Sequence, residues 1–367
     1  MLHRRSAEEW LEPDAGRLAC PVLRGQRRSN APLLPDQLHG MDERGKTVLR
    51  KTLKRADVAS FFARLSPCVI GMEACGGAHF WARKLSVLGH TVKLMAPQFV
   101  KPYVKSNKND ARDAEAICEA VARPNMRFVP IKNVEQQALL AVHRVRQGFV
   151  SARTAQSNQI RGLLSEFGIV MPKGITSLER DMPEILADAE NGLPGSSREL
   201  FARLFAHFKE LSRQMHELEQ QIKAWHRENT ASRRLEAIPG IGPLSASALA
   251  ASIGDARAFK NGRQFAAWLG LVPRQHSSGG KERLLGISKR GDTYLRTLLI
   301  HGARSVLIRL HRHADQAEGW LARLAARRNS NIAAVALANK NARIVWALLA
   351  HDRDYQRGYG TAPATAV

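Results

Sequence analysis

The chain is 367 residues long, 44% hydrophobic and 24% charged, a balance that excludes a disordered or fibrous polymer and predicts about two or three domains. Lys and Arg total 56 against 33 Asp and Glu, a net charge of +23 that needs a polyanionic partner or a strong reason to do without one, and puts nucleic acid first. Four cysteines, at 20, 68, 75 and 118, include no CxxC pair and fit neither a disulfide framework nor a zinc cage, so they read as reduced, mostly buried thiols. No apolar run reaches the length of a membrane span, and residues 1–5 lead into acidic, proline-containing sequence and not the apolar stretch of a signal peptide. The expectation from these features is a soluble, intracellular protein.

Residues 1–37 scatter Arg4, Arg5, Arg24, Arg27 and Arg28 among Pro13, Pro21, Pro32 and Pro35 without a helical or strand period, and are read as a disordered N-terminal segment. Residues 38–130 predict an α/β domain. Strands are expected over 47–53, 68–73 and 91–96, with amphipathic helices over 58–65 and 79–88, the second closed by Gly89 as a C-cap glycine does. Residues 131–232 turn to long helical periodicity, over 134–167 and 197–228, separated by a stretch rich in proline and glycine. Leu200, Leu204, Phe208, Leu211, Met215, Leu218 and Ile222 recur at steps of three and four, a seam suited to an antiparallel or intermolecular helical pair. Residues 233–350 are expected to form short helices broken by glycines, and 351–367 a polar, fraying tail.

Several constellations could carry chemistry. Glu73 ends an apolar strand just before Gly76-Gly77, the end of an open α/β sheet where ligands bind, although a carboxylate at a strand end is also an ordinary solvated charge. Asp110 and Asp113 open an alanine-rich helix three residues apart. They face one way, either as helix-capping charges or as ligands of a shared divalent ion, and Lys101, Lys105 and Lys108 surround them with the charge of a phosphate-binding face. Leu235–Ala246 reads as helix, glycine turn and helix, in which Gly240 and Gly242 either let backbone N–H groups approach a phosphate, as a helix-hairpin-helix does, or serve a packing turn. A loop holding Ser277 and Ser278 lies among Arg274, Lys281, Arg283, Lys289, Arg290 and Arg296. A serine there is a turn residue or, with that positive charge to stabilise its alkoxide and hold a phosphate, a nucleophile.

The strings IGMEACGGAHFWARKL, QFVKPYVKSNKNDARDAEAI, IPGIGPLSASAL and AAWLGLVPRQHSSGGKERLLGISKRGDTYLRTLLIHGAR resemble the transposases of insertion-sequence family 110, subgroup 1111, over about residues 39–351. The resemblance implies an RNase H-like (RuvC-like) domain with a DEDD metal site, a helical coiled-coil middle and a helical C-terminal transposase domain with a nucleophilic serine. It places the family's Glu at Glu73, its helical pair at Asp110 and Asp113, and its serine at Ser278, with Ser277 as the alternative. It further implies Mg2+, DNA as substrate, a bridge-type guide RNA, and a homo-oligomer whose subunits share each active site.

One departure stands out: the family's first Asp lies on an opening strand of the type IGIDxxK, and no such strand is legible here. The α/β domain is therefore expected to lack its first strand. Beside a serine-dependent, Mg-assisted transposase, two readings stay open, a degenerate copy that binds DNA and RNA without cutting, and a RuvC-like junction nuclease.

Overall fold

The computed structural model describes residues 19–20, 36–42, 44–104, 109–312 and 319–356. The chain divides into two compact units, residues 1–133 and 134–367.

The first unit is built on a six-stranded sheet. Its elements in chain order are β1 (Ala19–Cys20), β2 (Asp36–Met41), β3 (Thr47–Leu53), α1 (Val58–Ala63), β4 (Val69–Glu73), α2 (Ala78–Val87), β5 (Thr91–Met95), α3 (Pro97–Val100), α4 (Asp110–Val121) and β6 (Phe128–Val129). The strand order is β3-β2-β1-β4-β5-β6, with β1, β4 and β5 parallel and β2, β3 and β6 antiparallel to their neighbours. This corrects the sequence expectation at one point. The sheet does not lack a strand between β2 and β4: Ala19 pairs with Met41 on one side and Val69 on the other. The pairing is two residues long, shorter than any period test can detect, and β2 begins at Asp36 inside the segment expected to be disordered.

Side chains alternate across the sheet, so Ile70 and Met72 of β4 face one layer and Val69, Gly71 and Glu73 the other. Ile70, Met72, Leu38 and Leu94 pack with Val58, Phe62, Trp81 and Leu85 of α1 and α2. On the opposite face α4 lies so close that a Cβ on Gly71 would come within 2.9 Å of Val121 and 3.2 Å of Ile117. A buried latch closes the α1 side. His90 accepts from the Cys68 backbone N–H at Nδ1 (3.2 Å), and its Nε2 lies 3.0 Å from the Phe62 carbonyl, the donor position of a neutral ring.

Among its described residues the second unit is helical except for one hairpin. It comprises α5 (Val134–Ser165), α6 (Ile175–Ala187), α7 (Gly195–Glu228), α8 (Thr230–Glu236), α9 (Pro243–Ile253), α10 (Gly262–Trp268), β7 (Pro273–Gln275), β8 (Leu284–Ile287), α11 (Thr293–Arg312), α12 (Trp320–Arg327) and α13 (Ser330–Ala350). Helices α5 and α7 run antiparallel. Near one end Glu135 accepts from the Trp225 indole N–H (2.9 Å), farther along Arg146 Nε donates to Glu219 (2.8 Å), and Ile160 and Leu164 meet Phe201, Phe205 and Phe208 at the other end. The expected seam shifts by one residue at its start. Phe201 is buried and Leu200 half exposed, because the larger aromatic rings take the contact. The proline-containing stretch between the two helices holds α6, with Pro183 inside it.

The glycine-rich section is not all helical, because a two-stranded sheet of β7 and β8 interrupts it. Its core joins Leu249, Ile253, Phe265, Leu269, Leu299 and Leu307 to α13 through Ala334, Ala338, Ala342 and Val345. Among the described residues α13 alone is by length and mean composition apolar enough to cross a membrane, but Lys340 and Arg343 interrupt it, in keeping with the expectation of no continuous apolar span, and its buried alanine-rich stripe packs in the core of this unit.

Candidate nucleic-acid and catalytic site

In the first unit Glu73 stands at the C-terminal end of β4, on the face covered by α4. Asp110 and Asp113 occupy the first turn of α4, but neither caps it. Asn109 does, its side-chain oxygen accepting from the Arg112 N–H at 3.0 Å. Asp110 is exposed, whereas Asp113 is buried. Asp113, Ile117 and Val121 follow at steps of four, so Asp113 extends by one turn the stripe that lies over Gly71. Glu73 and Asp113 thus belong to the same layer. The three carboxylates do not assemble further, and among the described residues no group of three His, Cys, Asp or Glu side chains could hold a metal ion. Hard carboxylate oxygens suit Mg2+, but as placed they do not form a site for it. Glu115, one turn before Glu119 on α4, perturbs two groups nearby. Burial and then Glu115 push the Cys118 thiol up to about 12, so it stays protonated and donates to the His39 carbonyl at 2.7 Å. Burial and the Arg50 charge hold His39 below its ordinary value, with Glu115 opposing.

The two serines lie at the tip of the β7–β8 hairpin, where the sequence predicts a loop. Gly279 and Gly280, with φ of 57° and 75°, make a two-residue turn closed by Lys281 N–H donating to the Ser278 carbonyl at 3.1 Å. Both positions need a backbone that favours glycine. The serines divide by role. Ser277 Oγ accepts from Gln275 Nε2 (2.9 Å) and from the Arg283 backbone N–H (3.2 Å), so it braces the turn. Ser278 Oγ has no hydrogen-bond partner among the described residues, and every residue from 273 to 284 is exposed.

At the base of the hairpin the chain closes on itself. Ser288 N–H donates to Val272 O (2.8 Å) and Lys289 N–H to Gly270 O (3.1 Å). A Cβ on Gly270 would stand 2.9 Å from the Lys289 carbonyl carbon, and one on Gly291 would stand 3.0 Å from that of Trp268, so glycine is required on both legs. Arg296, expected at a nucleic-acid surface, is instead 7% exposed, because its guanidinium is occupied inside the fold. Nη1 donates to the carbonyls of Leu269 and Arg290 and Nη2 to Thr293 Oγ1, each at 3.1 Å. Arg274, Lys281, Arg283, Lys289 and Arg290 are exposed around the hairpin, as is Lys101 in the first unit, whereas Lys105 and Lys108 lie outside the described residues.

The α8–α9 turn resolves into two different glycines. Gly240, with φ of 88°, backs onto α11 so closely that a Cβ there would meet Gly302 O at 2.8 Å, and Asn341 Nδ2 donates to the neighbouring Pro239 carbonyl at 2.9 Å. Gly240 is therefore a packing residue. Gly242, the N-cap of α9, is exposed with open space around it.

Comparison with known proteins agrees with this layout. The transposase family that carries the DEDD domain matches residues 37–169, beginning on β2, and the family described as Transposase IS116/IS110/IS902 matches residues 232–318, which include the serine hairpin. A probable family 20 transposase of Pseudomonas aeruginosa is 55% identical over 88% of this chain and 96% of its own length. The transposase for insertion sequence element IS1111A of Coxiella burnetii is 46% identical over 88% of each chain, and that for IS1328 of Yersinia enterocolitica is 46% identical over 84% of this chain and 92% of its own. With both halves matched in order and relatives aligned along nearly their whole lengths, the chain belongs to the IS116/IS110/IS902 family of DNA transposases.

Proposed function

We propose that this transposase cuts and rejoins DNA through a covalent serine intermediate formed by Ser278. The observation that carries the reading is the division of labour in the hairpin. Ser277 is held as an acceptor within the turn, while Ser278 presents an uncommitted hydroxyl at an exposed tip flanked by Arg274, Lys281 and Arg283. The chemistry is a transesterification. Ser278 Oγ forms a bond to a backbone phosphorus, the bond from that phosphorus to a deoxyribose oxygen breaks, and the serine proton ends on the departing sugar hydroxyl. The flanking guanidinium and ammonium groups offset the charge that builds on the phosphoryl oxygens. Reversal with a different sugar hydroxyl joins a new strand.

The first unit, whose strand order and covering helix fit an RNase H-like domain, contributes Glu73 and Asp113 to one layer. No step is assigned to a metal there. The exposed basic side chains and the +23 charge can hold two polyanions, which supports DNA together with a structured guide RNA. A helix-hairpin-helix contact to phosphate would run through Gly242 and not Gly240. A second reading, binding without cutting, is favoured by one observation: β1 is Ala19–Cys20, and no Asp or Glu occurs from residue 15 to 35.

The test is a denaturing gel of the full chain with Mg2+, element-end DNA and RNA transcribed from the element's flank. A covalent protein–DNA band that Ser278→Ala removes and Ser277→Ala only weakens is expected, with DNA retention on a filter unchanged. A band of equal strength from Ser278→Ala rules out the assignment, and no band from the native chain favours binding alone.

A further inference from the structure

We propose that Arg296 is the positioning residue of the Ser278 hairpin, setting from inside the fold the orientation in which the serine is presented, and that it makes no contact with nucleic acid. The inference rests on the proposed role of Ser278. A two-stranded hairpin is marginally stable alone, and residues 273–284 are all exposed and contribute none of the buried core, so the direction in which the arm points is decided at its base. Two backbone bonds, Ser288 to Val272 and Lys289 to Gly270, join the legs there. Arg296 adds the tie that spans them, since one Nη1 reaches Leu269 O before β7 and Arg290 O after β8, while Nη2 holds Thr293 at the start of α11. Nη1 donates to a carbonyl on each leg while the other arm of the planar fork is fixed on Thr293, which holds that nitrogen in place, and a lysine ammonium on a flexible stem does not reproduce all three bonds. Lys289, held at φ of 55° where a non-glycine residue is strained, marks how tightly this base is drawn. In-line attack on phosphorus tolerates little misplacement, and a shift of about 1 Å can cost roughly 100-fold in rate.

The experiment compares the full-length native chain with Arg296→Lys, Arg296→Ala and Ser278→Ala, using element-end duplex DNA and the flank RNA. Arg296→Lys is expected to slow covalent adduct formation at saturating DNA by about 10- to 100-fold, with DNA affinity within about twofold and an unchanged salt dependence. Amide hydrogen exchange should speed up at Ser288 and Lys289 and stay unchanged at His276 and Lys281 in the turn. Guanidinium at tens of millimolar should restore part of the rate to Arg296→Ala, which a merely destabilised chain would not show; if that variant does not fold, Arg296→Lys carries the test. An unchanged rate or unchanged exchange at Ser288 and Lys289 overturns the proposal. So does a log–log salt slope shallower by about one, which marks Arg296 as a phosphate contact. An adduct that persists in Ser278→Ala, or is absent from the native chain, overturns the serine reading and this role with it.

Discussion

Lowering the pH from 7 to 5 should remove about 2 kcal/mol of stability from the second unit through one side chain, His143. His143 is 1% exposed on α5 and lies between Tyr294 of α11 (3.0 Å from Nδ1) and Ser247 of α9 (3.1 Å from Nε2). The donors run one way. The Ser247 hydroxyl donates to the Pro243 carbonyl at 2.6 Å, so Nε2–H donates to Ser247 and Nδ1 accepts from the Tyr294 hydroxyl, with Arg146, paired with Glu219, one turn away on α5. This chain requires a neutral ring. Burial, followed by the Arg146 charge, lowers its pKa from 6.5 to about 4.

The folded pKa lies below the unfolded one, so the contribution is complete above about pH 6.5. It falls as the unfolded chain gains a proton that the folded chain refuses, and is gone near pH 4 at a cost of about 3 kcal/mol. The assay is thermal unfolding of the full chain and of His143→Gln at pH 7, 6 and 5. Between pH 7 and 5 the variant's stability deficit should shrink by about 2 kcal/mol, or about 4–8 °C in Tm for a unit of this size. Parallel pH profiles for the two proteins would refute the reasoning.

Three further outcomes follow from the packing and the charges. Gly302→Ala places a Cβ against the Gly240 backbone and should cost about 1–3 kcal/mol or more, whereas Gly242→Ala, with open space around it, should leave the melt unchanged within about 1 °C; equal melts would contradict the docked turn. Neutralising Arg274, Lys281 or Arg283 singly should weaken DNA binding alike for all sequences and make the log–log salt slope shallower by about one each, and a sequence-selective loss would contradict a phosphate role. Asn109→Ala should cost about 1 kcal/mol by chemical denaturation through loss of the α4 cap, while Asp110→Asn should cost less; the reverse order would return the capping role to Asp110.

Much of the fold was legible because its signals are long. The strand over 47–53, the strand leading to Glu73, and the helical runs that became α5 and α7 each repeat a period over enough residues to be read. What escaped were short elements stabilised by distant partners. β1 is recognisable only from its neighbours β2 and β4, and β7–β8 only from the left-handed turn at Gly279-Gly280, a signal present in the sequence as a glycine pair between two short runs. Residue type located the candidate site but did not assign roles within it. Arg296 and Arg290 are alike in a charge count, yet one is enclosed by carbonyls and the other exposed. Ser277 and Ser278 are adjacent, and only the hydrogen bonds from Gln275 and Arg283 separate a brace from a free hydroxyl. Gly240 and Gly242 divide in the same way, because the approach of α11 cannot be read locally.

The central claim is that Ser278 is the atom donor to the DNA–protein bond, and mass spectrometry of the trapped adduct tests it most directly. Tryptic cleavage after Arg274 and Lys281 releases the peptide of residues 275–281 with both serines in it. Fragment ions should carry the nucleotide phosphate on Ser278 and leave Ser277 unmodified; phosphate on Ser277, or on a peptide from another part of the chain, would contradict the account.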